Sequence, residues 1–175
     1  MSLKKSKPSH PEAKKFQKSG FFKDIKNWND LKRRIAKLGK DESTTVEGDA
    51  FEVFVEWFLV EKKKSPKVIP ADLFTSAIKK KYHFPSKMPD AGADGLFLAP
   101  DGRWTAYQAK FRGNQKTLTW GELGTFFGVS EYTPSRCVAT TCQEIVKAVG
   151  EMKKHDGRYF TIREEDFKRL TKNEI

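Results

Sequence analysis

Three residues near the middle of the chain have types and spacing suited to phosphodiester chemistry: Asp94, Gln108 and Lys110. Asp94 lies in Ala91-Gly92-Ala93-Asp94-Gly95, and Gln108 and Lys110 alternate within Trp104–Arg112. If that second segment is a strand, alternation places Gln108 and Lys110 on one face. Asp94 offers a hard oxygen ligand for Mg²⁺, with Mn²⁺ as a substitute, and the Gln108 side chain or the Ala109 carbonyl adds neutral oxygens. A cation so held polarises a phosphoryl oxygen and lowers the pKa of a water nucleophile. Lys110 then stabilises the charge developing on phosphorus or orients the water. The glycines beside Asp94 leave room for a nucleic-acid backbone to come close. Singly, each residue has a plainer reading: an Asp between glycines is most often a turn-former, and Gln and Lys alternating on a strand usually mark a solvated face.

Whether these groups meet depends on a hairpin. Gly95–Ala99 and Arg103–Arg112 read as strands around Pro100-Asp101-Gly102. A three-residue loop with Gly102 in the left-handed region pairs Ala99 with Arg103 and sets Asp94 opposite Gln108. A two-residue loop pairs Asp94 with Ala109 instead and turns the carboxylate away.

The flanking segments supply the scaffold. Phe22, Ile25, Trp28, Leu31, Ile35 and Leu38 recur at helical spacing over Phe21–Leu38, and Gly39 reads as the stop. Asp41–Thr45 is a helix-start signature, followed by the broad apolar stripe Phe51, Phe54, Val55, Phe58 and Leu59. Residues 71–81 read as a short helix. Past the hairpin, the pattern predicts a helix near Trp120–Phe127, a buried strand over Cys137–Thr141 and a helix over Gln143–Lys153. A strand at Tyr159–Ile162 and a helix at Glu164–Leu170 complete it. Trp120, Phe126 and Phe127 suit a core better than a base-stacking platform. The order predicts an α/β sandwich with a mixed sheet.

Composition narrows the class. The chain has 175 residues, which suits one domain with a sizeable core. No apolar run approaches the roughly 18 residues of a membrane span, and no apolar leader follows the N-terminal lysines, so a cytoplasmic protein with no membrane partner is expected. Cys137 and Cys142 cannot by themselves build a disulfide framework or a four-ligand zinc site, and the three histidines are scattered. No GxxxxGK[ST] loop is present. Residues 1–40 hold 13 Lys and Arg against 3 Asp and Glu, while residues 41–175 hold 21 against 20. The basicity belongs to the N-terminal part and suits phosphate backbones, or else simple solubilisation.

Gly92-Ala93-Asp94-Gly95 followed by Gln108-Ala109-Lys110-Phe111 resembles the motif of the PD-(D/E)XK nucleases. More specifically it is similar to the Mrr-like branch, in which Gln replaces the second acid. Trp104–Arg112 followed by Leu118-Thr119-Trp120-Gly121-Glu122-Leu123 resembles Mrr-like nuclease domains fused to predicted superfamily-two helicases in restriction systems. The resemblance covers roughly Gly48 to Thr141. It implies a restriction-endonuclease-like sandwich, a central mixed β-sheet flanked by helices, and a helicase or translocase partner. It also implies an acid from the first core helix. Gly48-Asp49-Ala50-Phe51-Glu52 is similar to the family's Phe-Glu element and gives that role to Glu52, with Glu47 as the rival on the Phe51, Phe54 and Phe58 stripe.

These readings combine into Mg²⁺-dependent endonucleolytic cleavage of DNA within a restriction or mobile-element defence system. The catalytic set is Glu52, Asp94, Gln108 and Lys110; the metal ligands are Asp94, Gln108 and the Ala109 carbonyl. Phosphate contacts fall to Lys32, Arg33, Arg34, Lys37, Arg112 and Lys116. Residues 1–20 read as a disordered basic tail, 21–40 as a basic helical extension and 41–175 as the nuclease domain. A double-strand break would call for a homodimer on DNA, and a preference for branched DNA would mark a junction resolvase instead. The competing reading is a non-cleaving DNA-binding module of the same fold; a third leaves only the basic arm in contact with nucleic acid.

Overall fold

A computed structural model describes residues 8–88, 92–113, 117–146, 157–172 and 174–175. At its centre is the hairpin of β2 (Gly95–Leu98) and β3 (Trp104–Lys110). The Ala99 N–H donates to the Arg103 carbonyl and the Gly102 N–H to the Ala99 carbonyl, both at 2.9 Å. Gly102 has φ +83°, so the turn is the three-residue form, and glycine relieves the strain of the left-handed region. Gly95 pairs with Tyr107 and Leu98 with Trp104, which sets Asp94 opposite Gln108. Gly95 has a different reason to lack a side chain. A Cβ there would lie 2.6 Å from both the Ile69 carbonyl and the buried Tyr107 ring.

The hairpin belongs to a five-stranded sheet of order β1-β2-β3-β5-β7. Strand β1 (Val68–Pro70) runs antiparallel on the outer edge of β2. It escapes a sequence reading because three residues ending in proline carry no usable alternation. On the other side β5 (Ser135–Thr140) and then β7 (Tyr159–Ile162) run parallel. All six residues of β5 are buried, as a strand covered on both faces must be. Short strands β4 (Thr117–Leu118) and β6 (Glu144–Ile145) pair separately. Thus Gln143–Lys153 does not begin as the expected helix: Glu144 and Ile145 pair with β4, and residues 147–153 lie outside those described.

Helix α3 (Thr44–Glu61) lies across one face, capped by Ser43, whose hydroxyl accepts the Val46 N–H. Nine of its residues are buried, from Ala50 to Leu59. Helix α2 (Trp28–Asp41) packs on α3 through Trp28, Leu31 and Ile35. It starts at Trp28 rather than Phe21 because Asn27 caps it, accepting the Asp30 N–H. Nor does Gly39 end it: the helix runs to Asp41, and Gly39 makes room for the Glu47 carboxylate, which a Cβ would overlap. Phe167, on α6 (Glu164–Lys168), completes an aromatic cluster with ring centroids 4.8 Å from Trp28, 5.2 Å from Phe54 and 5.0 Å from Phe58. The opposite face carries α4 (Ser76–Tyr82) and α5 (Trp120–Val129), with Leu123, Phe126 and Phe127 packed over Leu96, Ala106 and Val138. Trp120 stays 44% exposed, stacked on Phe127.

The N-terminal part differs most from expectation. Residues 8–20, read as part of a disordered tail, include helix α1 (Ala13–Lys18), with Ala13 and Phe16 buried. Phe16 meets Phe21 and Phe22 at 5.4 and 6.0 Å. Burying each such ring contributes about 1.5–3 kcal/mol. The polar residues and prolines of 8–20 hide these few apolar positions, which are too sparse to show a period. Within residues 21–40, Phe22, Ile25, Trp28, Leu31 and Ile35 belong to the same core as α3. Among the described residues, no helix is long and apolar enough to cross a membrane.

Candidate active site

Asp94 stands just ahead of β2, held by one backbone bond and one side-chain bond that continue the hairpin. Its N–H donates to the Tyr107 carbonyl at 3.0 Å, and its Oδ2 accepts the Ala109 N–H at 2.6 Å. The carboxylate therefore replaces a strand backbone as the partner of Ala109. Peptide groups alternate sides along a strand, so the Ala109 carbonyl faces the same side as its N–H, past the end of β2. Burial pushes the Asp94 carboxyl up to about 8, and the charge of Glu52 adds to the rise. The Ala109 N–H, Lys110 and His10 oppose it.

Glu52 stands half-buried on the sheet-facing helix α3, where two clefts meet. One, of about 340 Å³, is lined by Glu52, Asp94, Asp49, Asp72, Glu12 and His10 among others. The other, of about 500 Å³, is lined by Glu52, Ala109, Lys110, Arg112, Thr44 and Thr45 among others. Of the two rival acids, Glu52 is the one brought beside Asp94. Glu47 lines only the second cleft, its carboxyl raised by burial against the pull of Arg112. Lys110 is half-buried at the end of β3. Gln108 is only 4% exposed, and its Oε1 is buried without a hydrogen-bond partner among the described residues. It lines neither cleft, so the amide sits beneath the site rather than in its wall.

The basic residues named from the sequence separate into two groups. Lys32 gives its ammonium to Glu164 at 2.7 Å, and the same carboxylate accepts the Trp28 indole N–H at 2.9 Å. Arg34 spans the Phe21 and Lys23 carbonyls at 3.1 and 2.7 Å. These two serve the fold. Arg33 and Lys37 point outward, with side chains 81% and 77% exposed beside Asp30 and Asp41. No α2 residue lines either cleft. Arg112 borders the second cleft while its guanidinium holds Glu122 at 2.9–3.0 Å. Lys116 lies outside the described residues.

Sequence reasoning missed the N-terminal wall. His10 is buried, with its Nε2 3.1 Å from Glu52 Oε2. Ser9 and His10 donate their N–H groups to the two oxygens of Glu56, at 2.5 and 2.9 Å. Burial opposes protonation of His10, but the Glu52 bond and the charges of Glu52, Asp49 and Glu56 outweigh it and raise the imidazole above its ordinary value. Nothing local marks Ser9-His10, because its carboxylate partners on α3 lie 42 to 47 residues away.

The donor set suits a hard divalent cation. It offers oxygen atoms only: two neighbouring carboxylates, a backbone carbonyl turned past the strand, and a buried amide oxygen without a partner opposite Asp94. Among the described residues, no group of three His, Cys, Asp or Glu side chains gathers to hold a metal. Cation binding here would rest on neutral oxygens and water as much as on carboxylates.

The architecture is that of a restriction-endonuclease-like sandwich, a five-stranded mixed sheet flanked by helices. No protein-family model and no curated protein matches the chain. Among solved structures it is similar to the ATP-dependent Type ISP restriction-modification enzyme LlaBIII bound to DNA, with a TM-score of 0.58 and 16% identity. The similarity covers 83% of this chain and 8% of that one, and it is a likeness of fold.

Proposed function

We propose that this chain is a metal-dependent DNA endonuclease module of a restriction or mobile-element defence system, of the Mrr-like PD-(D/E)XK kind. The observation that carries the reading is the meeting of Asp94, Glu52 and Lys110 at the end of the β2–β3 hairpin, between two clefts. Asp94, with the Gln108 amide oxygen and the Ala109 carbonyl, would hold Mg²⁺ or Mn²⁺. When bound, that ion supplies Lewis-acid polarisation of the phosphoryl oxygen and a more acidic water nucleophile. Lys110 reaches a phosphate in the larger cleft and offsets the negative charge that grows as the water oxygen bonds to phosphorus. Glu52, a secondary ligand or water-positioner, would share in holding the ion and orient the water, taking its proton as the bridging P–O bond breaks. Exposed Arg33 and Lys37 supply phosphate contacts away from the chemistry.

That the similar structure is an ATP-dependent restriction-modification enzyme bound to DNA supports DNA as the substrate; a helicase or translocase as the working partner is what the Mrr-like resemblance implies. Cleavage of both strands would follow from pairing of two copies on DNA, in the cytoplasm. A second reading, a DNA-binding module that does not cut, is favoured by one observation: among the described residues, no group of three His, Cys, Asp or Glu side chains gathers to hold a metal.

The test is supercoiled plasmid incubated with the wild type or Lys110→Ala, with Mg²⁺, Mn²⁺ or EDTA. Metal-dependent nicking that Lys110→Ala abolishes is the expected result. A salt-sensitive gel shift with intact plasmid, unchanged when an ATP-driven translocase partner is added, would favour the binding module.

A further inference from the structure

We propose that His10 is a positioning residue for Glu52, holding the Glu52 carboxylate toward Asp94 through its Nε2–H; the proposal rests on the nuclease reading of that site. Every other polar point around His10 is already fixed. Its backbone N–H and that of Ser9 are held by Glu56, which is only 3% exposed on α3. Its Nδ1 lies 3.2 Å from the Glu12 N–H. A backbone N–H can only donate, so Nδ1 accepts, and the proton of the neutral ring sits on Nε2. That atom lies 3.1 Å from Glu52 Oε2.

The arrangement has a physical purpose. Glu52 is a surface-reaching side chain on a helix, and nothing in α3 itself fixes its rotamer. A buried ring held at Nδ1 by the Glu12 N–H, on a backbone fixed by Glu56, has little freedom to lose, so its one remaining donor can fix the carboxylate cheaply in entropy. The same contact leaves the second Glu52 oxygen for the cleft it shares with Asp94. Partners of this kind typically change metal affinity or activity by about 10- to 100-fold when removed.

The experiment uses the full chain with His10→Phe, which keeps a buried ring without a donor, and His10→Gln, which keeps an N–H near the Nε2 position. Imidazole ¹H–¹⁵N spectra come first, since the chain has three histidines to assign. His10 is expected as the Nε2–H tautomer, with a resonance that moves in Glu52→Ala. Calorimetry with Mn²⁺ alone follows. His10→Phe is expected to weaken binding by about 10- to 100-fold, with His10→Gln restoring most of it at similar thermal stability.

Wild-type affinity in His10→Phe, equal loss in both variants, or an imidazole resonance blind to Glu52→Ala overturns the role. Wild-type protein that binds Mn²⁺ with this His10 dependence, yet leaves plasmid intact even with an ATP-driven translocase partner added, upholds the positioning and defeats the nuclease reading. Plasmid cleavage that is indifferent to His10 does the reverse. Absence of any Mn²⁺ binding by the wild type overturns both.

Discussion

The Asp94 carboxylate accepts the backbone N–H of Ala109 at 2.6 Å, taking the place that a neighbouring strand would fill one step further along the hairpin. This ties the charge at the site to the register of the sheet. The three-residue turn at Gly102 sets that register, so a change of one residue there would carry the carboxylate to the other face.

Burial and the charge of Glu52 raise the Asp94 carboxyl to about 8, so the fold prefers it protonated. The stability this lends is whole below the unfolded value of about 3.9 and is lost as pH rises through about 8. In EDTA, the wild-type melting temperature is expected to fall between pH 5 and pH 9 relative to Asp94→Asn. Asn keeps the acceptor for the Ala109 N–H and carries no charge. Thermal scans of both proteins across that range check it; parallel curves would contradict the assignment.

Gly95→Ala tests the packing that places Asp94. Its methyl would meet the Ile69 carbonyl, which belongs to a paired strand and cannot swing aside. Overpacking of this kind costs about 1–3 kcal/mol. Urea unfolding should show that loss, and plasmid nicking should drop beyond what reduced stability explains.

Glu122 ties helix α5 to β3. Its Oε2 accepts the Thr119 N–H at 2.9 Å and its Oε1 holds the Arg112 guanidinium. Burial works against ionisation, but Thr119 and Arg112 outweigh it and bring the carboxyl down to about 2. Its contribution is therefore present above the unfolded value near 4.3 and is lost as pH falls toward about 2. Glu122→Ala should cost about 1 kcal/mol at neutral pH and less in acid, as chemical denaturation at pH 7 and pH 3 would register.

The basic residues of α2 should divide by role. Lys32→Ala leaves Glu164, 7% exposed, without its cation, and should lower stability by about 1–3 kcal/mol. Arg33→Ala and Lys37→Ala should leave stability within about 0.5 kcal/mol of wild type. If they touch phosphates, each should reduce the salt slope of DNA binding by about 0.9. Melting curves and gel shifts at several salt concentrations separate the two effects.

Much of this protein can be read along the chain, because the determinants are local. Pro100-Asp101-Gly102 marks a turn, alternation over Trp104–Arg112 marks a strand, and a three-residue loop, one of the two forms the sequence allows, sets Asp94 opposite Gln108 as observed. Helix α3 announces itself by its stripe of aromatic residues, and Ser43 by its place ahead of them. The tertiary structure alone decided what those residues meet. That Glu52 lines a cleft with Asp94 while Glu47 lines the other one follows from how α3 lies against the sheet, which periodicity does not encode. Lys32 and Arg34 look like phosphate ligands in sequence, yet they face Glu164 and the carbonyls of a preceding turn. The segment around His10 resembles a solvated tail, since its few apolar residues are outnumbered by lysines. It is ordered by two α3 carboxylates and by aromatic contacts that exist only after the chain has folded. Long-range pairing of this kind has no period and no local energy to reveal it, because each partner gains its value only from the burial the other provides.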